Sequence, residues 1–119
     1  MSRAIHHVAL GARDVERVAR FYRDALGLVE VARHSAEGGA LRSIWLRAGG
    51  TVLMIERTEA EPRAVEGIGA GPFLLAFAVT PAERAELEAR LAVESRSEHS
   101  SYFRDPEGNR VAVSHYPLP

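Results

Sequence analysis

Ile5-His6-His7-Val8-Ala9-Leu10 reads as a strand, whose successive side chains point to opposite faces. His7 then shares a side with Ile5, Ala9 and Gly11, while Val8 and Leu10 share the other with His6. After the turn Gly11-Ala12-Arg13-Asp14 the period lengthens. Val15, Val18, Tyr22, Ala25 and Leu26 recur at helical spacing, Asp14 is placed to cap the first free amides, and Gly27 supplies a left-handed stop. Three strands are expected next, Leu28 to Arg33, Leu41 to Arg47 and Thr51 to Arg57, separated by Glu37-Gly38-Gly39 and Ala48-Gly49-Gly50.

Residues 58 to 71 keep no sustained period and read as a linker, after which the same order of elements returns. Phe73, Leu75, Phe77 and Val79 alternate with Leu74, Ala76 and Ala78 in a strand, and Thr80-Pro81-Ala82-Glu83 is a capping box with proline at the first helical position. The second helix runs to about Leu91. Short strands are expected at Val93 to Arg96, Ser100 to Arg104 and Asn109 to His115, the last two joined by Asp105-Pro106-Glu107-Gly108, a turn by composition. The chain therefore reads as two tandem β-α-β-β-β units, about 1–57 and 72–119, within a single domain of 119 residues.

Composition narrows the chemistry. The absence of cysteine excludes a disulfide framework, a thiolate metal site and thiol catalysis. Fifteen basic and sixteen acidic residues leave a formal charge of −1 with no long run of either sign, which argues against nucleic acid as a partner. No apolar stretch approaches the roughly 18 residues of a membrane span, and residues 1–4 lead into no signal-peptide core. A cytoplasmic protein with no membrane partner is expected.

The segments HHVALGARDVERVARFYRDALGL, VLMIER and YFRDPEGNRVAVSH together resemble the vicinal oxygen chelate superfamily, which includes glyoxalase I, extradiol dioxygenases and bleomycin-resistance proteins. The resemblance implies an α+β fold whose two β-α-β-β-β units form a cup-shaped mixed sheet with the helices outside, and commonly a homodimer. It also implies a divalent cation held by inward residues of the first and last strands of each unit, with His7 and Glu56 at the ligand positions of the first unit. The second unit departs from the pattern, placing Leu74 where a histidine is expected and Ala112 where a glutamate is expected. Zn, Ni, Mn, Fe or Co would all suit one nitrogen and one oxygen donor, so an ion is expected to be weakly held or absent.

Three functions follow from these residues. The first is a metal-dependent lyase, isomerase or dioxygenase that polarises substrate oxygens. The second is a small-molecule binding protein whose cup is lined by Met54, Leu74, Ala76, Tyr102, Arg104 and Ala112, with Glu56 as a metal-free general base in a catalytic version. The third is an interaction domain without a ligand. Each residue also has a plain structural reading: His7 as a hydrogen-bonded strand residue, Glu56 paired with Arg104 or Arg110, Tyr102 as a half-buried sheet tyrosine, and Trp45 as either pocket wall or core.

Overall fold

A computed structural model describes residues 2–61 and 74–119. The expected Phe73 and most of the linker lie outside the described residues. The chain divides into two compact units, 1–61 and 62–119.

The first unit runs β1 (His7–Ala12), α1 (Val15–Leu26), β2 (Val29–Ser35), β3 (Leu41–Ala48) and β4 (Thr51–Arg57). Its sheet has the order β1-β4-β3-β2, with β1 parallel to β4 and the other pairs antiparallel. Helix α1 begins where Asp14 Oδ1 accepts the Arg17 amide at 3.1 Å, and it ends at Gly27, whose φ of +70° suits a residue without Cβ. Val15, Val18, Ala19 and Tyr22 are its buried face. They form the unit's core with Leu10, Ala12, Ile44, Leu46, Leu53 and Ile55, so one face of the sheet is sealed by apolar packing.

One irregularity in β2 changes the expected parity. A bulge at Val31 separates the pairs Glu30–Leu46 and Ala32–Trp45, and it puts Glu30 and Arg33 on the helix side together. There Glu30 accepts from Arg23 at 2.6 Å and from Arg33 at 2.9 Å, and Arg33 reaches Glu16 at 3.0 Å. The Arg33 hydrogen bond outweighs partial burial and holds the Glu30 carboxyl below its usual range.

The second unit runs β5 (Leu75–Ala78), α2 (Pro81–Arg90), β6 (Ser95–Arg96), β7 (Ser100–Arg104) and β8 (Arg110–Ser114), with sheet order β5-β8-β7-β6. Its pairing repeats the first unit: β5 is parallel to β8, and the remaining pairs are antiparallel. The capping box forms, with Thr80 Oγ1 accepting the Glu83 amide at 3.1 Å and Glu83 Oε1 accepting the Thr80 amide at 2.8 Å. Asp105 turns the chain into β8 by accepting the amides of Glu107 and Asn109, both at 2.9 Å, and Gly108 adopts φ +93°.

Helix α2 covers its sheet with polar groups as well as with Leu87. Arg84 donates to Ser101 Oγ at 2.7 Å and to the carbonyls of Ser97, Glu98 and Ser100 at 2.8–2.9 Å. Ser101 in turn donates to Glu88 at 2.8 Å, and that hydrogen bond keeps the Glu88 carboxyl below its usual range. No helix among the described residues is long and apolar enough to cross a membrane.

Candidate functional site

In each unit the helix covers one face of the sheet, and the chemistry-bearing side chains lie on the other. In the first unit the pairs His7–Val52, Ala9–Met54, Gly11–Glu56, Trp45–Met54 and Ser43–Glu56 put His7, Met54, Glu56, Ser43 and Trp45 on one side. Leu10, Ile44, Leu46, Leu53 and Ile55 take the helix side. The alternation expected for β1 and β4 therefore holds, and the side of Trp45 is settled.

Aromatic rings cross this face from strand to strand. The imidazole of His7 on β1 lies over β4 and nearly parallel to the indole of Trp45 on β3, with centroids 6.3 Å apart and planes 14° apart. His34 on β2 meets the far side of Trp45, with centroids 5.1 Å apart and planes at 63°. His34 lies just past the expected strand Leu28 to Arg33, and the bulge that aims it at Trp45 leaves no mark in the alternation. His6 Nδ1 lies 2.9 Å from His7 Nδ1, so one of the two nitrogens carries the proton and the other accepts it.

The pair implied as metal ligands stands at different heights in the pairing of β1 with β4. His7 is level with Val52 and Glu56 with Gly11, four residues along the paired strands. At about 3.3 Å per residue the two Cα atoms are about 13 Å apart along the sheet. The Glu56 carboxylate instead lies 3.9 Å from Arg42 Nε, on the neighbouring strand. Parity fixes the side of a sheet and pairing register fixes the height. Among the described residues no three His, Asp or Glu side chains cluster to hold an ion. His7 and Glu56 are two donors, fewer than the three protein ligands typical of a catalytic metal site, so the residues present do not make up a full ligand set.

In the second unit, Tyr102 is opposite Ala112, Arg104 opposite Arg110, and Ala76 opposite Ala112. These residues share the side away from Ser101, which contacts α2. Ala112 and Tyr102 are buried, Leu74 is half-buried just before β5, and Ala76 is exposed. Arg104 is engaged by Glu94 at 2.6 and 3.0 Å and by the Gly108 carbonyl at 3.0 Å. This bond with Arg104 is the main cause holding the Glu94 carboxyl below its usual range. His115 takes the helix side, where its Nε2 lies 3.2 Å from Arg84 Nη1, and its ring meets that of His99 edge-on at 5.3 Å.

The sequence left Trp45 between pocket wall and core, offered Arg110 as a partner for Glu56 and did not single out Ser43. Among the described residues, the buried side-chain nitrogens and oxygens without a hydrogen-bond partner are Ser43 Oγ, Trp45 Nε1, Arg110 Nε and Arg110 Nη1. All belong to the helix-free faces, two on each sheet. A buried polar group left unpaired costs about 1–3 kcal/mol, and more when charged. They fall on the faces that carry Trp45 and Tyr102.

The family model for the glyoxalase/bleomycin resistance protein/dioxygenase superfamily matches residues 4–113. The chain belongs to that superfamily. Lactoylglutathione lyase from Agrobacterium tumefaciens is 27% identical over 95% of this chain and 93% of its own, with a TM-score of 0.70. The FosX fosfomycin resistance protein from Listeria monocytogenes, a mutant solved with Mn(II) and 1S,2S-dihydroxypropylphosphonic acid, has a TM-score of 0.82 at 16% identity. The aligned parts are 99% of this chain and 96% of that one. TioX from Micromonospora sp. ML1 matches at 18% identity and a TM-score of 0.71, over 97% of this chain and all of its own. Among curated proteins none matches. The Listeria protein of the same fold was solved with Mn(II), whereas in this chain His7 and Glu56 are four residues apart in the pairing of β1 with β4.

Proposed function

We propose that this superfamily member binds a small, flat, polar molecule on the helix-free face of its first sheet, with no metal ion resident. The observation that carries this reading is the pair of unpartnered, buried groups Ser43 Oγ and Trp45 Nε1, set on the face where His7 and His34 flank the indole. The aromatic ladder offers stacking surface worth about 0.5–1.5 kcal/mol per ring pair, and the indole N–H and serine hydroxyl offer directional bonds to ligand oxygens. A largely apolar surface with a few placed polar groups is what small-molecule recognition ordinarily uses. Met54, between Ala9 and Trp45 in the pairing, supplies an adaptable apolar floor.

Glu56 has no metal role in this proposal. Its carboxylate sits near Arg42, at the end of the face away from His7. Homodimeric assembly and a cytoplasmic setting are carried over from the family likeness as part of the proposal. Trp45 is the chain's single tryptophan, so its emission reports on this face alone. In a screen of aromatic and heteroaromatic compounds, a binder should change Trp45 emission saturably, and His7→Ala should weaken it about tenfold, equivalent to 1.4 kcal/mol. The reading fails if no compound in the screen changes Trp45 emission saturably, or if His7→Ala binds the hit as tightly as wild type.

A further inference from the structure

Arg110 is only 5% exposed, yet its Nε and Nη1 have no hydrogen-bond partner. Its guanidinium carbon lies 5.3 Å from the centroid of the Tyr102 ring, so one face of the cation rests on an aromatic plane while N–H groups at its edge remain unsatisfied. The carboxylate of Glu94, close enough to feel this charge, is already taken by two bonds from Arg104. A guanidinium stays protonated at any ordinary pH, so burial cannot be relieved by losing the proton. A cation fixed in this way, desolvated and backed by a ring, is matched by an oxyanion.

We propose that Arg110 anchors the oxyanion of a small-molecule ligand, a carboxylate, phosphate or phosphonate group, on the helix-free face of the second sheet. Tyr102 backs the guanidinium, and Ala112 stands opposite Tyr102, two residues from Arg110 and with no polar group to compete for its N–H donors. The inference uses residues of the second unit only, so it stands or falls separately from binding at Trp45.

The test is thermal unfolding of the full chain with inorganic phosphate, methylphosphonate or benzoate, each against sodium chloride at equal ionic strength. At least one of the three oxyanions should raise the midpoint saturably, by about 5 °C at tenfold excess over its Kd, while chloride does not. Which of them does so separates a phosphorus oxyanion from a carboxylate. Arg110→Met should unfold at a higher temperature than wild type in plain buffer, because an unpaired buried charge has been removed, and should lose the oxyanion response. Arg110→Lys keeps the charge without the planar fork and should bind the same probe about tenfold more weakly. The proposal is overturned if none of the oxyanions exceeds chloride. It is equally overturned if Arg110→Met retains the wild-type response, or if that variant is less stable than wild type or does not fold.

Discussion

The His7 imidazole lies over β4 and almost parallel to the Trp45 indole, with ring centroids 6.3 Å apart and planes inclined by 14°. In a sheet with strands about 4.8 Å apart, side chains on β1 and β3 meet only by leaning across the strand between them. They can do so because the residues beneath are Val52 and Met54 and α1 packs on the other side. His7 is thereby committed to an aromatic surface, at the opposite end of the face from Glu56.

Trp45→Leu keeps apolar bulk but removes the ring and its N–H. Because Trp45 Nε1 is buried without a partner, this variant should fold with stability within about 1 kcal/mol of wild type while abolishing ligand binding at this face. Denaturant unfolding and calorimetric titration of the same preparation check the two halves of the expectation.

Arg84 donates to Ser101 and to three carbonyls around the β6–β7 connection. Arg84→Met leaves those acceptors without their charged donor and should destabilise the protein by about 2–3 kcal/mol. Hydrogen exchange should rise first at the amides of Ser97 and Glu94, which bond across this hairpin to Ser100 and Tyr102. A loss below about 0.5 kcal/mol would mean that water replaces the arginine at no cost.

Glu30 is held below the ordinary carboxylate range by its hydrogen bond from Arg33, with Arg23 adding to it. A carboxyl lowered in the folded state contributes stability above its unfolded pKa, about 4.3, and that contribution is lost as pH falls through the folded value. The thermal midpoint should therefore fall on acidification below about pH 4.3, and Glu30→Gln should flatten part of that slope and cost about 1 kcal/mol at neutral pH. Parallel acid titrations of the two proteins give the comparison.

Most of the architecture was legible because it rests on local chemistry. The Asp14 cap, the Gly27 stop, the Thr80–Glu83 box and the Asp105–Gly108 turn are decided within a few residues, and each forms as expected. The sides taken by β1 and β4 were equally readable from alternation. Pairing register was not: whether Glu56 stands level with His7 depends on how two strands separated by α1, β2 and β3 align, and no local pattern encodes it. The bulge at Val31 is likewise silent, and with it the placement of His34 beside Trp45. Arg110 stood in the sequence only as a spare partner for Glu56, since charge says nothing of burial.

If register is what keeps the first unit's donors apart, moving the carboxylate should repair them. Met54 shares the face and is two residues nearer His7 in the pairing. Met54→Glu combined with Glu56→Gln should increase affinity for Mn(II) or Zn(II) about tenfold or more over wild type, a gain of about 1.4 kcal/mol. Calorimetric metal titration of the two proteins decides it, and equal affinities would show that register is not the obstacle.

The central claim is that recognition at Trp45 needs no metal ion, and the most direct measurement is the Kd of a Trp45-quenching compound before and after exhaustive chelation. Kd should be the same in chelated protein and in protein resupplied with Mn(II) or Zn(II), with a large loss in Trp45→Leu. Binding that disappears on chelation and returns with added metal would contradict it.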